Sequence, residues 1–128
     1  MPKTIQLVLT LQSKPGVLAG ISRALADARV NILSLSAAEA AGRGKIRMIV
    51  NNPVAARRTL RKARVRFTEE PAFTKRLRNK PGALARAVEK LARARVNIKT
   101  AYATTAGRGG ATVVITVSNP SKARRLIN

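Results

Sequence analysis

Apolar and polar residues alternate near the start of the chain, and the pattern then changes to a helical spacing. Isoleucine or leucine occupies every second position from residue 5 to residue 11, as in a strand with one buried face. Ser-Lys-Pro-Gly at residues 13–16 ends this alternation, and proline suits the first turn of a helix. The apolar residues from Val17 to Ala28 then follow at helical spacing. These features predict a strand, a tight turn and an amphipathic helix.

The rest of the first half predicts two more strands, a second helix and a short last strand. A strand from Val30 to about residue 38 and another at residues 46–50 flank a Gly-Arg-Gly turn. Asn52 is suited to cap the second helix, with Pro53 at its first position. Residues 65–67 then predict a short fourth strand. This order is that of the ferredoxin-like unit, an antiparallel sheet with both helices on one face.

The second half repeats the first at a spacing of about 66 residues. Lys-Pro-Gly at residues 14–16 recurs at residues 80–82, and Ala-Arg-Val-Asn-Ile at residues 28–32 recurs at residues 94–98. Repetition over this length indicates a duplicated folding unit. We therefore predict an α+β fold of two tandem ferredoxin-like (βαββαβ) units, residues 1–70 and residues 71–128, with Glu-Glu-Pro at the boundary.

The second unit is predicted to be incomplete. Nothing after its second helix corresponds to the last strand of the first unit, so we expect an open edge that is covered by another chain or is short and charged. Its predicted elements are a weaker strand at residues 73–77, a helix from Pro81 to about residue 95, a strand from Val96, a turn at residues 107–110, a strand at residues 112–117 and a helix from Pro120.

Composition excludes several kinds of site and leaves one unexplained feature. The chain has no cysteine or histidine, so a disulfide or an imidazole or thiolate metal site is excluded. A nucleophile such as Ser34 would need a lysine base, and no such pair or carboxylate pair can be located; we predict no enzyme and no cofactor. No signal peptide or membrane span is evident, so we expect the cytoplasm. The unexplained feature is a formal net charge of +21, which attracts polyanions.

The turns carry a recognisable motif. Asn-Lys-Pro-Gly-Ala-Leu at residues 79–84, followed by Val-Asn-Ile at residues 96–98, resembles the ACT domain, as does Ser-Lys-Pro-Gly-Val-Leu at residues 13–18 with Val-Asn-Ile at residues 30–32. The whole chain resembles the small stand-alone tandem ACT proteins, which have no catalytic domain. The resemblance implies a regulatory module that binds a small amino acid at the interface between ACT units.

The resemblance also implies which residues bind the ligand: the residue before the turn, the turn glycine and the asparagine that opens the second strand. A helix N-terminus suits a carboxylate, and glycine permits close approach of a ligand to the backbone. No acid lies beside either turn, so asparagine oxygens and backbone carbonyls are expected to accept from the ammonium group. The predicted ligand-binding residues are Asn79, Gly82, Ala83, Leu84 and Asn97 in the second copy, and Ser13, Gly16, Val17, Leu18 and Asn31 in the first.

Several alternatives remain at this stage. Ser13 departs from the motif, which has asparagine at this position; a hydroxyl can still donate or accept a hydrogen bond, but it reaches less far than a carboxamide. The two turn glycines could be purely structural, and the asparagines could satisfy local backbone groups. We expect the sensor to act by allostery on a metabolic enzyme or on another copy of itself as a dimer. A ligand-free assembly module is another possibility.

Nucleic acid is the alternative partner. A chain this basic could bind phosphates without sequence preference. Aromatic platforms for base stacking are not expected, because the chain has only one tyrosine and two phenylalanines. The residues predicted for this alternative are Arg57, Arg58, Arg61, Lys62 and Arg64.

Overall fold

The computed structural model describes residues 3–105 and 110–126, which form six strands and four helices. No helix among these residues is long and apolar enough to cross a membrane. The elements in chain order are β1 (Lys3–Gln12), α1 (Val17–Asp27), β2 (Ile32–Ala40), β3 (Arg43–Val50), α2 (Pro53–Lys62), β4 (Phe67–Arg78), α3 (Ala83–Arg93), β5 (Ile98–Thr105), β6 (Gly110–Val117) and α4 (Pro120–Leu126).

The first compact unit consists of Ile5–Glu70. Its strands are ordered β2-β3-β1-β4, and β3 pairs antiparallel with both of its neighbours. Apolar residues at alternate positions of β1 and β3 face α1 and α2 and are buried there, because strand side chains point alternately to the two faces of a sheet. The buried core residues are Leu7, Leu9, Ile21, Leu25, Val30, Ile46, Met48, Val50, Ala56 and Leu60.

The second compact unit consists of Pro71–Asn128 together with the start of the chain, of which Lys3 and Thr4 are described. Its strands are ordered β4-β6-β5, with antiparallel pairing on both sides of β6. Its core is a separate cluster of buried residues: Phe73, Leu91, Val96, Val113, Ile115, Val117 and Ala123. The fold class predicted from the sequence is confirmed.

The last element among the described residues is the helix α4. The expectation about the open edge of the second unit was wrong. β4 has a neighbour from its own chain at this edge, because β1 stands beside β4 in the strand order on the side away from β6. Within the second unit, that place is taken by the start of β1, at Lys3 and Thr4.

A continuous strand, β4, replaces the two short strands that the sequence predicted at residues 65–67 and 73–77. The division between the units falls inside it, between Glu70 and Pro71. Proline lacks the N–H that a strand ladder needs, but its fixed φ is compatible with extended backbone. The ladder between β4 and β6 begins at Phe73, beyond the proline. Pro71 is therefore accommodated where it removes no bond of that ladder.

Glycine rather than proline begins the first helix of each unit. Gly16 and Gly82 occupy the N-cap positions of α1 and α3 with φ values of 89° and 85°. The predicted starts at Pro15 and Pro81 are corrected by this geometry, because both prolines precede the helix. The left-handed conformation is accessible to glycine at little cost, so these positions require it.

Asparagine caps the second helix, as the sequence predicted. The Oδ1 atom of Asn52 accepts a hydrogen bond from the backbone N–H of Ala55 at 3.1 Å, and Pro53 is the first helical residue. Asn119 makes the same bond with the N–H of Lys122 at the start of α4. The turn predicted at residues 107–110 lies outside the described residues except for Gly110, which begins β6.

Candidate functional site

A cavity of about 190 Å³ lies in the first unit where β1 leads into α1. Its walls are formed by the end of β1, the glycine turn, the first turn of α1, the end of β2 and the start of β3. The lining residues are Leu11, Gln12, Ser13, Lys14, Val17, Leu18, Ala37, Ala38, Glu39, Gly44 and Ile46.

Strand register explains why residues distant in sequence meet in this cavity. Leu11 of β1 and Glu39 of β2 both pair with Gly44 of β3, from opposite sides. Adjacent strands are roughly 4.8 Å apart, so the backbones at Leu11 and Glu39 lie about 10 Å from each other. The residue between them has no side chain, which leaves the space above the sheet open.

Residues of opposite charge line this space. Lys14 lies two residues before Gly16, the N-cap of α1, and Glu39 lies near the end of β2, across β3 from Leu11. No side chain caps α1, and its first turn contains no acid. The positive end of the helix dipole and the ammonium of Lys14 are therefore available to an anionic group, while the Glu39 carboxylate is available to a cation.

Open space lies above the first turn. A Cβ atom added at Gly16 or at Gly20, one helical turn later, would meet no heavy atom within 4 Å. Apolar side chains, including Val17 and Ile46, form the adjoining wall. The turn can therefore be approached by a small molecule without displacement of protein atoms.

The corresponding turn of the second unit is covered. A Cβ atom at Gly82 would lie 2.9 Å from Nη1 of Arg86. Arg86 occupies the position of Gly20 in the repeat, so the difference between the two turns follows from one substitution. A separate cavity of about 340 Å³ lies beside this turn and α3.

The cavities contain some of the predicted ligand-binding residues and not others. Ser13, Val17 and Leu18 line the first cavity, and Gly16 lies in its turn. In the second unit only Ala83 lines the cavity. The predicted residues that line neither cavity are Gly16, Asn31, Asn79, Gly82, Leu84 and Asn97.

The two strand-opening asparagines are held through their backbones. The N–H of Asn31 donates to Oδ1 of Asn51 at 2.9 Å, and the N–H of Asn97 donates to Oγ of Ser118 at 3.1 Å. The carbonyl oxygens of Asn31 and Asn97 accept from the N–H groups of those same two residues, Asn51 and Ser118. Both asparagines are exposed. These bonds fix where β2 and β5 begin.

Glu39 is the lining residue that the sequence interpretation missed. The expectation that no acid lies beside either turn was wrong for the first unit, because pairing of β2 with β3 brings Glu39 to the cavity. The available signal was register: Glu39 is followed by a short turn into β3, so it must lie opposite the start of that strand. In the second copy, threonine occupies this register position, at residue 105.

Part of the basic surface of α2 is already engaged within the unit. Arg57 donates three hydrogen bonds to the Glu69 carboxylate: Nε to Oε1 at 3.0 Å and to Oε2 at 2.9 Å, and Nη2 to Oε1 at 2.7 Å. These bonds hold the pKa of the Glu69 carboxyl below its ordinary value and raise that of the Arg57 guanidinium, against the opposing effect of burial. Arg61 lies 5.7 Å from the ring centroid of Phe67. Of the residues predicted for nucleic acid, Arg58, Arg61, Lys62 and Arg64 are exposed, and Arg57 is half-buried.

No cluster of three or more acidic, cysteine or histidine residues that could hold a metal ion exists within residues 3–105 and 110–126. The charged residues that line the cavity of the first unit are Lys14 and Glu39. They are suited to binding a molecule that carries both signs of charge.

Comparisons with solved structures agree with this architecture. Protein BT0572 from Bacteroides thetaiotaomicron is 30% identical to this chain. The match covers 97% of this chain and 85% of BT0572, with a TM-score of 0.91. The regulatory subunit of aspartate kinase from Thermus thermophilus, in its ligand-free form, is 16% identical, with 99% and 95% of the two chains covered and a TM-score of 0.68. The same subunit from Thermus flavus is 15% identical, with 96% and 87% covered and a TM-score of 0.64. At such identities the two kinase subunits establish likeness of fold alone.

Sequence comparison supplies the family. None of the curated proteins matches this chain significantly. A family model described as an ACT domain pair matches residues 3–128, which include both glycine turns and nearly every residue of the two units. The chain therefore belongs to the ACT domain pair family.

Proposed function

We propose that this protein is a non-catalytic regulatory module that binds a small amino acid in the cavity of its first unit. The observation that carries the proposal is that Lys14 and Glu39, which carry opposite charges, both line an open cavity at the N-terminus of α1. A zwitterion needs donors for its carboxylate and an acceptor for its ammonium group. This cavity offers both within the span of three adjacent strands.

Each part of the ligand has a complementary region. The carboxylate binds the N-terminus of α1 and Lys14, where backbone N–H groups and a cation favour negative charge. The ammonium group binds the Glu39 carboxylate. The side chain packs against Leu11, Val17 and Ile46, the apolar part of the wall.

The volume limits the size of the ligand. A cavity of roughly 150 Å³ can hold benzene, and this one is about 190 Å³. We therefore propose an amino acid with a small or medium apolar side chain. Arg86 covers the turn of the second unit, so binding at Asn79, Gly82 and Asn97 stays a prediction from the motif.

A second ACT unit would complete the site. Leu18 at the cavity and Leu35 on β2 are 38% and 39% exposed, and β2 is the outer strand of the first unit. We propose that an ACT unit of another copy covers this edge, so that the ligand contacts both units and stabilises one arrangement over another.

A metabolic enzyme remains the alternative partner, and the cytoplasm remains the predicted location. Binding of nucleic acid through α2 also stays a prediction, since Arg57 and Arg61 are already engaged.

The test is a thermal-shift screen of the purified protein against the standard amino acids, followed by calorimetry on any that raise the melting temperature. Glu39→Gln should weaken binding of the best ligand by about tenfold or more, since a hydrogen bond to a charged group contributes about 1.5–3 kcal/mol. Glu89→Gln, at an exposed position of α3, removes the same charge and should leave the affinity unchanged. No stabilising amino acid, or equal effects of the two variants, would contradict the proposal.

A further inference from the structure

We infer that the cavity of the second unit binds a small oligophosphate, a ligand of different chemistry from that proposed for the first. The cavity of about 340 Å³ lies between the end of β4 and the first two turns of α3. Its charged lining residues are all basic: Lys75, Arg76, Arg78, Lys80, Arg86 and Lys90. No acid is among the residues that line it.

Comparison of the two copies shows that most of these basic residues occur in the second copy only. The positive charge is therefore specific to this cavity and is not a feature of the repeat. At a spacing of 66, only Lys80 has a basic counterpart, Lys14. The other five cations replace Leu9, Thr10, Gln12, Gly20 and Ala24 of the first copy. The acid of the first cavity, Glu39, is replaced by a threonine at the same register position.

The cations of the second cavity are not neutralised within the protein. In the part of the chain that the structure describes, the ion pairs join Arg23 to Asp27 and Arg57 to Glu69, and neither involves this cavity. Five of the six cationic residues are exposed, and Lys75 is half-buried. Like charges gathered around one concave surface repel each other, and this repulsion is relieved when an anion binds.

The kinds of side chain point to phosphate. Arginine presents a planar fork of donors that matches phosphate oxygens, and lysine supplies a mobile point charge. The guanidinium of Arg86, from α3, lies beside the turn at Gly82, whereas that of Arg76 lies against Gly110 of β6. The same helix has no acid in its first turn, so its N-terminus adds to the positive potential.

Convergence on one cavity favours a compact ligand over a long polyanion. Proteins that bind nucleic acid backbones without sequence preference place their cations along a groove or a stripe. Here the guanidinium of Arg86 lies directly over Gly82, and Leu77, Ala83 and Ala87 form an apolar floor. Several positive charges around one cavity are complementary to several phosphates joined in a short chain, as in inorganic tripolyphosphate or a nucleoside triphosphate.

The experiment is calorimetric titration of the full chain with inorganic tripolyphosphate, in a phosphate-free buffer of moderate salt. Arg86→Ala combined with Lys90→Ala should weaken binding by about tenfold or more, because charge-assisted bonds to phosphate are lost. Arg58→Ala combined with Lys62→Ala removes the same charge from the exposed face of α2 and should change the affinity by less than about twofold, as expected for distant screened charges.

A short DNA duplex distinguishes the two sources of phosphate. The inference is supported if tripolyphosphate binds more tightly than the duplex and only the α3 variant weakens it. It is overturned if tripolyphosphate fails to bind, if both double variants weaken it equally, or if the duplex binds more tightly than tripolyphosphate. Amino-acid binding by the α3 variant should match that of the unchanged protein, so this test is independent of the function proposed for the first unit.

Discussion

At the scale of single residues, one position on the first helix of each unit decides whether the turn is open. Gly20 leaves free space above the turn of α1, whereas Arg86 at the equivalent position of α3 covers Gly82. The motif at the turns is nearly the same in both copies, and it matches the ACT pattern better in the second. The structure nevertheless favours the first turn as the ligand site, because access to the turn depends on a residue outside the motif, Gly20 or Arg86.

Substitutions at Gly20 can therefore separate helix stability from access to the turn. Gly20→Ala should raise the free energy of unfolding by about 1 kcal/mol, because glycine is that much less favourable than alanine inside a helix, and the added Cβ meets no heavy atom within 4 Å. Gly20→Arg should also stabilise α1, and it should reduce amino-acid affinity by placing a guanidinium over Gly16. Denaturant unfolding and calorimetry measure the two effects.

The alanine variant is the control for this pair, since it changes the helix without covering the turn. If Gly20→Ala and Gly20→Arg reduced amino-acid affinity equally, access to the turn would not be what the arginine changes.

At the scale of elements, one tripeptide ends three of the four helices. Ala-Arg-Val occurs at residues 28–30, 63–65 and 94–96, directly after α1, α2 and α3. Each arginine has a left-handed φ, between 56° and 60°. At each end the valine N–H donates to a leucine carbonyl five residues earlier, at 2.9 Å, and the arginine N–H donates to a carbonyl three residues earlier. This is the Schellman arrangement, which usually has glycine at the left-handed position.

Replacement of one of these arginines by glycine should stabilise the protein. A residue with a Cβ pays about 1–2 kcal/mol in the left-handed conformation, and glycine loses part of that gain through its greater freedom in the unfolded chain. We expect Arg95→Gly to raise the free energy of unfolding by about 1 kcal/mol or less in denaturant titrations. Arg93→Gly, which removes the same charge within α3, should lower it, because α3 would then contain an unfavourable residue.

A stabilising Arg93→Gly, or a destabilising Arg95→Gly, would contradict this account of the helix end. The second outcome would mean that the charge of Arg95 near the C-terminus of α3 contributes more than the strain costs.

At the scale of the whole molecule, the repeat and the period of apolar residues were sufficient to predict both units and their element order. They were not sufficient to predict β4. Pro71 and two glutamates suggested a break between units, yet extended backbone continues through them since the ladder to β6 starts only at Phe73. Glu39 was missed for a related reason: which residues face each other across strands follows from register, which has to be counted from the short turn between β2 and β3 and is not given by the period of apolar residues.

The net charge of the whole chain affects its stability. Twenty-six lysine and arginine residues are set against five acids, and the described residues contain two ion pairs, one of which is 3.9 Å long and exposed. Most of the positive charge is thus uncompensated. Self-repulsion of this kind destabilises a compact state relative to an expanded one.

Sodium chloride should therefore raise the melting temperature. An increase from about 0.01 M to about 0.1 M shortens the screening length from roughly 30 Å to roughly 10 Å, so repulsion between distant charges is largely removed. Scanning calorimetry in a phosphate-free buffer measures the effect without occupying the proposed oligophosphate site. Arg58→Ala combined with Lys62→Ala lowers the formal net charge from +21 to +19 and should make the melting temperature less sensitive to salt. A melting temperature that fell with added sodium chloride would mean that attractive pairs outweigh repulsion, so that the uncompensated charge is not what limits stability.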